Sequence, residues 1–423
     1  MNYIKKDLGS FRLHLIRTNK FKTVTMKVLF HTPIKKEDIT KRILLSDILL
    51  QSSKKYESKR SMTIEAEELY SASISTGNQR LGNYIFTSFN LQVLNDKYTE
   101  EGNLEKSIEF LSEILFHPNI NQKSFLKDKL DLAKYNTVVN LSTIKENTTN
   151  YSMIKLLEKY DSESPVSYQM QGYLDDLEKI DEKNLYDSYL KMIDNDYVDI
   201  FIVGDFDSRK MISIIKKYYK FKKIKKEKES YYLPVKKPRK KRQFAKEAID
   251  NTQSKLSIAL PIMKLTPFER DYVLTLANLI YGGGTDSKLF QNIREKNSLC
   301  YTIRSFISKL DNLMVVTAGI DKTNYEKTVN LITSNLLDLK KGKFTDKDIN
   351  IAKEIYDTSL EEIEESPLSM INEALSETIF DVEEISIRKE KISKVRKSDI
   401  TRVLKKINMD TVFLLEGVKN EEN

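Results

Sequence analysis

The side chains that could hold a catalytic metal are few and scattered along the chain. The 423 residues include three histidines, His14, His31 and His117, and a single cysteine, Cys300. A zinc site commonly uses two ligands one helical turn apart, and no two of these histidines lie that close in the sequence. We therefore predict turn or surface histidines, no bound metal and no cofactor. Ser-His-Asp and Cys-His catalysis gain no support, because Cys300 has no neighbouring histidine.

Arg294 and Tyr301, seven residues apart, are a second pair of chemical interest. A guanidinium and a phenol both donate hydrogen bonds, and together they suit a peptide carbonyl or the oxyanion that develops on it during hydrolysis. The alternative is structural, with Arg294 in an ion pair at a helix end and Tyr301 packed half-buried. The spacing alone leaves both interpretations open.

A glycine run at Gly282, Gly283 and Gly284 is the third feature. Phosphate-binding loops end in Gly-Lys-Ser/Thr and follow a strand, whereas this run lacks that ending and follows a helical pattern. We predict that it ends a helix and forms a flexible turn.

The elements that must position these residues recur in the two halves of the chain. Residues 124–134 resemble residues 343–353, and in both places an apolar-periodic helix precedes the segment and the segment opens another helix. Three more pairs follow the same order: 45–50 with 276–281, 177–185 with 392–400, and 199–204 with 412–417. The members of each pair are 213–231 residues apart. Four pairs in one order indicate a duplication.

Each half has the order strand, helix, two or three strands, two helices, helix, strand. In the first half, residues 23–30 and 84–93 are predicted strands, and residues 43–50 form the first core helix. Strands that follow one another directly favour antiparallel pairing over the βαβ pattern of a parallel sheet. The predicted class is α+β, with two homologous domains that are each a mostly antiparallel sheet covered by helices.

Positive charge is concentrated in one segment. The formal net charge is +8, and residues 216–242 hold fourteen Lys or Arg residues against Glu227 and Glu229. The rest of the chain is therefore acidic on balance, and a solvated linker is favoured over a polyanion-binding strip. We predict a first domain at 1–215, a basic linker at 216–243 and a second domain at 244–423, with no nucleic acid as partner.

The expected compartment is the cytoplasm. No apolar run approaches the roughly 18 residues of a membrane span, and the first residues contain no apolar stretch typical of a signal peptide. A lone cysteine also excludes an internal disulfide framework. We therefore expect no membrane contact.

The order of elements resembles the insulinase-type (M16) peptidase family, in the short two-domain branch that includes mitochondrial processing peptidase. The most specific match is residues 281–301, where a small-residue turn precedes a helix, an arginine and a Leu-x-Tyr. Residues 198–206 resemble the strand that closes the family's first domain. Within the family, the bacterial group of inactive YmfF-like proteins fits best, and its members occur alongside an active-type sister chain.

This resemblance implies roles for the residues already singled out. In the family, the arginine and tyrosine contact the substrate backbone near the scissile bond, which assigns that role to Arg294 and Tyr301. Glycine-rich loops of the non-catalytic processing-peptidase chain touch the substrate, which extends a binding role to Gly282, Gly283 and Gly284.

The resemblance also implies that the zinc motif has been lost. Active members carry His-x-x-Glu-His on the first core helix, with a later glutamate as third ligand. The matching helix reads Leu-Leu-Ser-Asp-Ile at 44–48, so Leu44 and Ile48 stand at the ligand positions and Asp47 alone resembles the general base. No acid falls at residues 134–135, where the third ligand is expected, and Asp131 lies one turn away. The chain is thus expected to be an inactive homologue of a zinc metalloendopeptidase.

We predict a non-catalytic subunit that pairs with a zinc-bearing homologue and contributes substrate-binding residues to a shared chamber for a peptide or unfolded polypeptide. One alternative is a peptide-binding scaffold or regulatory protein that dimerises with itself and carries out no proteolysis. Another is an RNA- or ribosome-associated factor that uses the basic linker. An independent peptidase with an unconventional site is the least favoured interpretation.

Overall fold

Runs of β-branched, aromatic and leucine residues form the strands, in line with their propensities. The computed structural model describes residues 2–223 and 230–418. Within them the strands are β1 (Asn2–Asp7), β2 (Arg12–Arg17), β3 (Thr23–Pro33), β4 (Ser73–Leu81), β5 (Tyr84–Leu94), β6 (Ile120–Asn121), β7 (Ser124–Phe125), β8 (Tyr197–Gly204), β9 (Gln243–Ile249), β10 (Ser254–Pro261), β11 (Cys300–Ser308), β12 (Leu313–Ile320) and β13 (Thr411–Gly417).

Amphipathic segments form the helices, several of which begin at a side chain that accepts from the first turn, such as Ser58 and Asp181. The α-helices are α1 (Lys36–Ile48), α2 (Lys59–Glu68), α3 (Asn103–Phe116), α4 (Lys127–Ser142), α5 (Thr148–Tyr160), α6 (Leu174–Leu177), α7 (Glu182–Asn195), α8 (Ser208–Tyr218), α9 (Leu274–Tyr281), α10 (Tyr325–Lys340), α11 (Asp346–Glu361), α12 (Pro367–Ile379), α13 (Ile385–Ser393) and α14 (Lys397–Lys405). π-Helical segments occur at Glu269–Val273 and Phe290–Glu295. Short 3-10 helices lie at Asp96–Tyr98, Pro165–Ser167, Lys322–Asn324 and Glu362–Glu365. In the described part of the chain, no helix has both the length and the apolar character to cross a bilayer.

The chain forms two compact units, each assembled from three segments. Unit 1 consists of Met1–Ser142, Gln169–Glu229 and Glu362–Val382. Unit 2 consists of Thr143–Tyr168, Ser230–Glu361 and Glu383–Asn423.

The two units share one sheet topology. In unit 1 the strand order is β1-β2-β8-β3-β5-β4, and in unit 2 it is β11-β12-β10-β13-β9. Only the β2–β8 pair and the corresponding β13–β9 pair are parallel among the described strands of these sheets. If β1 is set aside, each strand of one unit has a counterpart in the other. The predicted α+β class, with antiparallel sheets covered by helices, is confirmed.

Each half of the sequence gives one helix to the other half's unit. α5 lies against β10 and β13 of unit 2, where Tyr151 and Leu156 join a buried cluster with Phe413. α12 lies against β8 and β2 of unit 1. The amphipathic pattern of these helices shows that each needs an apolar partner, but the pattern does not identify the sheet that supplies it.

The predicted linker at 216–243 is not solvated throughout. Residues 216–218 end α8, and Gln243 begins β9. Between them, Tyr231 and Leu233 are buried, and the backbone N–H of Leu233 donates to the carbonyl of Leu310 at 2.8 Å. Residues 224–229 lie outside the described residues.

Candidate functional site

α1, the helix that follows β3, forms one wall of a cleft in unit 1. α1 packs Leu44, Leu45 and Ile48 into the core, where each is at most 3% exposed. Its other face carries Ile43, Ser46 and Asp47, which line a cleft of about 690 Å³. Residues three and four apart share a helix face, so this division follows from the helical repeat. β4 and α4 provide further lining residues: Thr76, Asn78, Lys129, Leu132 and Asn136.

Asp47 is the carboxylate that α1 contributes to the cleft, and neutral side-chain amides donate hydrogen bonds to both of its oxygens. Nε2 of Gln51 donates to Oδ1 of Asp47 at 2.7 Å, and Nδ2 of Asn136 donates to Oδ2 at 2.9 Å. Oγ of Ser46 accepts from Nδ2 of Asn78 at 2.8 Å. The floor of the cleft is therefore a network of amides and hydroxyls that surrounds one acid.

Burial separates the residues of α1 that face the cleft from those that do not. Leu44 and Ile48, which the resemblance put at the ligand positions, lie beneath the helix and do not line the cleft, whereas Asp47 does. The three cleft-facing residues Ile43, Ser46 and Asp47 have the spacing of His-x-x-Glu-His, shifted by one residue toward the N terminus. The sequence could not distinguish these registers, because both begin with an apolar residue.

The acid considered as a substitute third ligand lies elsewhere. Asp131 forms an ion pair with Lys127 at 3.0 Å, and both side chains are more than half exposed. On α4 the side chain that reaches Asp47 is Asn136, an amide that sequence reasoning had no cause to select. Across residues 2–223 and 230–418, no three His, Cys, Asp or Glu side chains are grouped so as to hold a metal ion.

In unit 2, Arg294 and Tyr301 line one pocket of about 400 Å³. Arg294 lies in the π-helical segment Phe290–Glu295, and Tyr301 is the second residue of β11. The β11–β12 register shifts between Cys300 and Thr302, so Tyr301 sits at a bulge and its ring is 65% exposed. Bulges re-aim side chains, and this one turns Tyr301 away from the sheet toward the pocket.

The guanidinium of Arg294 is held loosely. Its carbon lies 4.6 Å from the ring centroid of Phe290, and its Nε lies 3.8 Å from Oε1 of Glu295. The side chain remains 43% exposed. Nearby Cys300 is a buried thiol, and burial raises its pKa to about 11 against the opposing charge of Arg294. The pocket thus presents a cation and a phenol, with a protonated thiol behind them.

The glycine run ends α9, as the sequence predicted, but it does not line this pocket. A Cβ on Gly282 would lie 2.6 Å from Oγ of Ser305, and one on Gly283 would lie 2.9 Å from Cα of Leu279. Gly284 has open space, with its nearest side-chain atom 4.0 Å away. Close packing accounts for the first two glycines.

Known proteins resemble this chain over its whole length. Residues 179–356 match the family model described as the peptidase M16 inactive domain. A Bacillus subtilis (strain 168) protein named "Probable inactive metalloprotease YmfF" is 29% identical over 99% of both chains. The chain is therefore similar to the M16 peptidase family. The likeness is to inactive M16-like proteins, which is the resemblance expected from the altered motif on α1.

Solved structures agree in fold. A crystal structure of a conserved protein from Enterococcus faecalis V583 superposes with a TM-score of 0.88 at 28% identity, covering 100% of both chains. A peptidase M16 inactive domain from Pseudomonas fluorescens has a TM-score of 0.79 at 15% identity, covering 99% of this chain and 98% of that one. The second likeness concerns the fold alone.

The histidines of this M16-like chain have a role that the sequence did not reveal. His14 and His31 were predicted to lie at turns or on the surface, and this is wrong, because they are 0% and 1% exposed. Their Nε2 atoms lie 2.8 and 2.9 Å from the two carboxylate oxygens of Asp199. Arg12 donates to the same oxygens at 2.7 and 2.6 Å. The three neighbouring strands β2, β3 and β8 bring these residues together.

The hydrogen bonds indicate a neutral His14. The hydroxyl of Tyr3 lies 2.7 Å from Nδ1 of His14, so a proton on Nε2 lets the ring accept from Tyr3 and donate to Asp199. Burial lowers the pKa of His14 despite its hydrogen bond to Asp199. Burial raises the pKa of Asp199, but hydrogen bonds from His14 and His31 and the charge of Arg12 bring it well below its ordinary value.

We expect the free energy of unfolding to fall as the solution is acidified. The unfolded chain takes up a proton at His14 near the ordinary pKa of 6.5, whereas the folded chain does so only at lower pH. The free energy of unfolding therefore decreases as the pH falls from 6.5 toward the lower pKa that His14 has in the folded chain. Asp199 adds a further decrease below its ordinary pKa of 3.8. Urea titrations from about pH 8 to about pH 5 measure the His14 contribution. His14→Gln should flatten the dependence, and an unchanged slope would contradict this assignment.

Proposed function

We propose that the chain is a non-catalytic subunit that pairs with a zinc-bearing M16-like homologue and lends Arg294 and Tyr301 to a shared peptide chamber. The observation that carries the proposal is the common pocket of these two side chains, with Tyr301 turned outward by a β-bulge. Packing does not account for the position of Tyr301, because its side chain is largely exposed.

The chemistry of the pair suits a peptide in hydrolysis. The Arg294 guanidinium has only a 3.8 Å approach to Glu295, so its remaining N–H groups are available to a carbonyl oxygen. The phenol of Tyr301 is a second donor with the same preference. Two donors directed at one oxygen stabilise the negative charge that develops there as water attacks.

The cleft of unit 1 supports a binding role without catalysis. We propose that the degenerate motif occupies Ile43, Ser46 and Asp47, because these three residues face the cleft. Ile43 offers no metal ligand, Ser46 is a weak base, and Asp47 has both oxygens engaged by amides. The amides and hydroxyls that remain are the groups that pair with a peptide backbone.

Co-purification from the native host tests the pairing. A tagged chain should recover a one-to-one partner that carries His-x-x-Glu-His and binds zinc. Recovery of a homodimer without such a partner would overturn the pairing and favour a peptide-binding scaffold, for which the retained cleft of unit 1 is the supporting observation.

A further inference from the structure

The segment between residues 230 and 243 is fixed to unit 2 by two of its basic side chains. Nζ of Lys236 donates to the carbonyl of Tyr160 at 2.7 Å and lies 3.0 Å from Oδ1 of Asp161. Nη2 of Arg239 donates to the same carbonyl at 2.9 Å, and its backbone N–H donates to Oδ2 of Asp410 at 2.6 Å. These bonds give the following residues a defined position on the surface of the unit.

The cations that follow are exposed, and none is paired with an acid of the part of the chain that the structure describes. Lys237, Lys240, Lys241 and Arg242 are all exposed. Among residues 2–223 and 230–418 none of the four has a carboxylate within ion-pair distance. The C terminus of α10 adds Lys340, which donates to Oδ1 of Asn408 at 3.2 Å. Burial and the nearby charge of Arg242 lower the pKa of Lys340. Two positive charges about 100 residues apart in the sequence therefore lie close together in the fold.

An exposed aromatic ring lies directly beyond these cations. Phe244 is the second residue of β9, an edge strand of the sheet, and it is 58% exposed. β9 alternates between partly covered and exposed residues, which puts Phe244 and Lys246 on one face. Lys246 forms an ion pair with Glu416 at 3.6 Å, so its charge is largely neutralised. The ring of Phe244 thus stands on an open sheet edge, next to cations that have no ion-pair partner among the described residues.

We propose that Lys237, Lys240, Lys241, Arg242 and Phe244 form a binding surface for single-stranded nucleic acid. The four cations contact successive phosphates, and a base stacks on the ring of Phe244. An anionic lipid surface is less suited, because interfacial binding needs a larger apolar face beside the charges than one ring provides. This surface is independent of the proposed peptide chamber. It gives a binding role to part of the segment 216–243, which the sequence alone favoured as a solvated linker.

Binding of a fluorescein-labelled oligouridylate to the full chain, measured by anisotropy, tests the proposal. Each phosphate contact of a single strand lowers the logarithm of the binding constant by about 0.7 per unit of log salt concentration. Four contacts therefore predict that log Kd rises with log salt concentration at a slope of about 3. Affinity should therefore weaken roughly fifty-fold between about 50 and about 200 mM potassium chloride. Phe244→Ala should weaken binding about tenfold without changing the slope, and Phe244→Tyr should restore the affinity.

Charge variants complete the test. Lys240→Gln, Lys241→Gln and Arg242→Gln together should reduce the slope to about a quarter of its original value. The matched control replaces Lys322, Lys327 and Lys347, exposed lysines of unit 2 without ion-pair partners in the described chain, and should leave both affinity and slope unchanged. Equal binding by the two triple variants would overturn the proposal. Tighter binding to phosphatidylserine vesicles or to polyglutamate than to oligouridylate would also overturn it.

Discussion

Replacing Arg294 by alanine should lower the kcat/KM of the pair formed with the zinc-bearing homologue by about 10²-fold. The guanidinium lines the pocket with Tyr301 and has only a loose contact with Glu295 at 3.8 Å. Its loss removes a charged donor from the oxyanion, a change that typically costs two to three orders of magnitude in rate. Steady-state hydrolysis of a fluorogenic peptide measures the effect, with zinc content determined in parallel.

Two further variants separate this role from general damage. Arg304→Ala removes an exposed arginine of β11, the strand that carries Tyr301, outside the pocket, and should leave kcat/KM unchanged. Tyr301→Phe removes only the hydroxyl and should cost about tenfold. If Arg294→Ala and Arg304→Ala behave alike, Arg294 has no part in the reaction.

Replacing Asp199 by asparagine should destabilise unit 1 by about 3–5 kcal/mol. The carboxylate accepts from Arg12, His14 and His31 and is fully buried. An amide keeps the shape but loses the charge, and its NH₂ group faces donors instead of acceptors. The guanidinium of Arg12, whose side chain is 25% exposed, then loses its ion pair with Asp199. Urea unfolding followed by a probe in unit 1 measures the loss.

A surface pair provides the control for that measurement. Asp194 pairs with Lys222 at 2.6 Å, with side chains 30% and 72% exposed. Asp194→Asn should therefore cost less than about 1 kcal/mol. A similar cost for both aspartates would mean that the buried cluster contributes no more than a surface ion pair.

The sequence predicted the fold well because the relevant signals are local. Strand patterns at 23–30 and 84–93 correspond to β3 and β5, and the repeated pair 199–204 and 412–417 corresponds to β8 and β13, which hold matching positions in the two sheets. The exchange of α5 and α12 between units was not predictable, since a helix pattern specifies that a face is buried but not against which sheet.

The candidate site was only partly predictable, for a similar reason. On α1 the position of the motif depends on which residues face the cleft, and apolar residues occupy both faces there. The Asp199 cluster left one signal in the sequence, an acid inside an apolar strand, which requires buried partners. Arg12 and His14 lie two residues apart on β2, and the pairing of β2 with β8 is a long-range contact that no local pattern encodes.

Reconstitution of peptide hydrolysis tests the central claim most directly. The purified zinc-bearing homologue is assayed alone and with increasing amounts of this chain. We predict that this chain alone cleaves nothing and binds no zinc, and that its addition raises the homologue's kcat/KM until the two are equimolar. A homologue whose activity is the same with and without this chain would contradict the account.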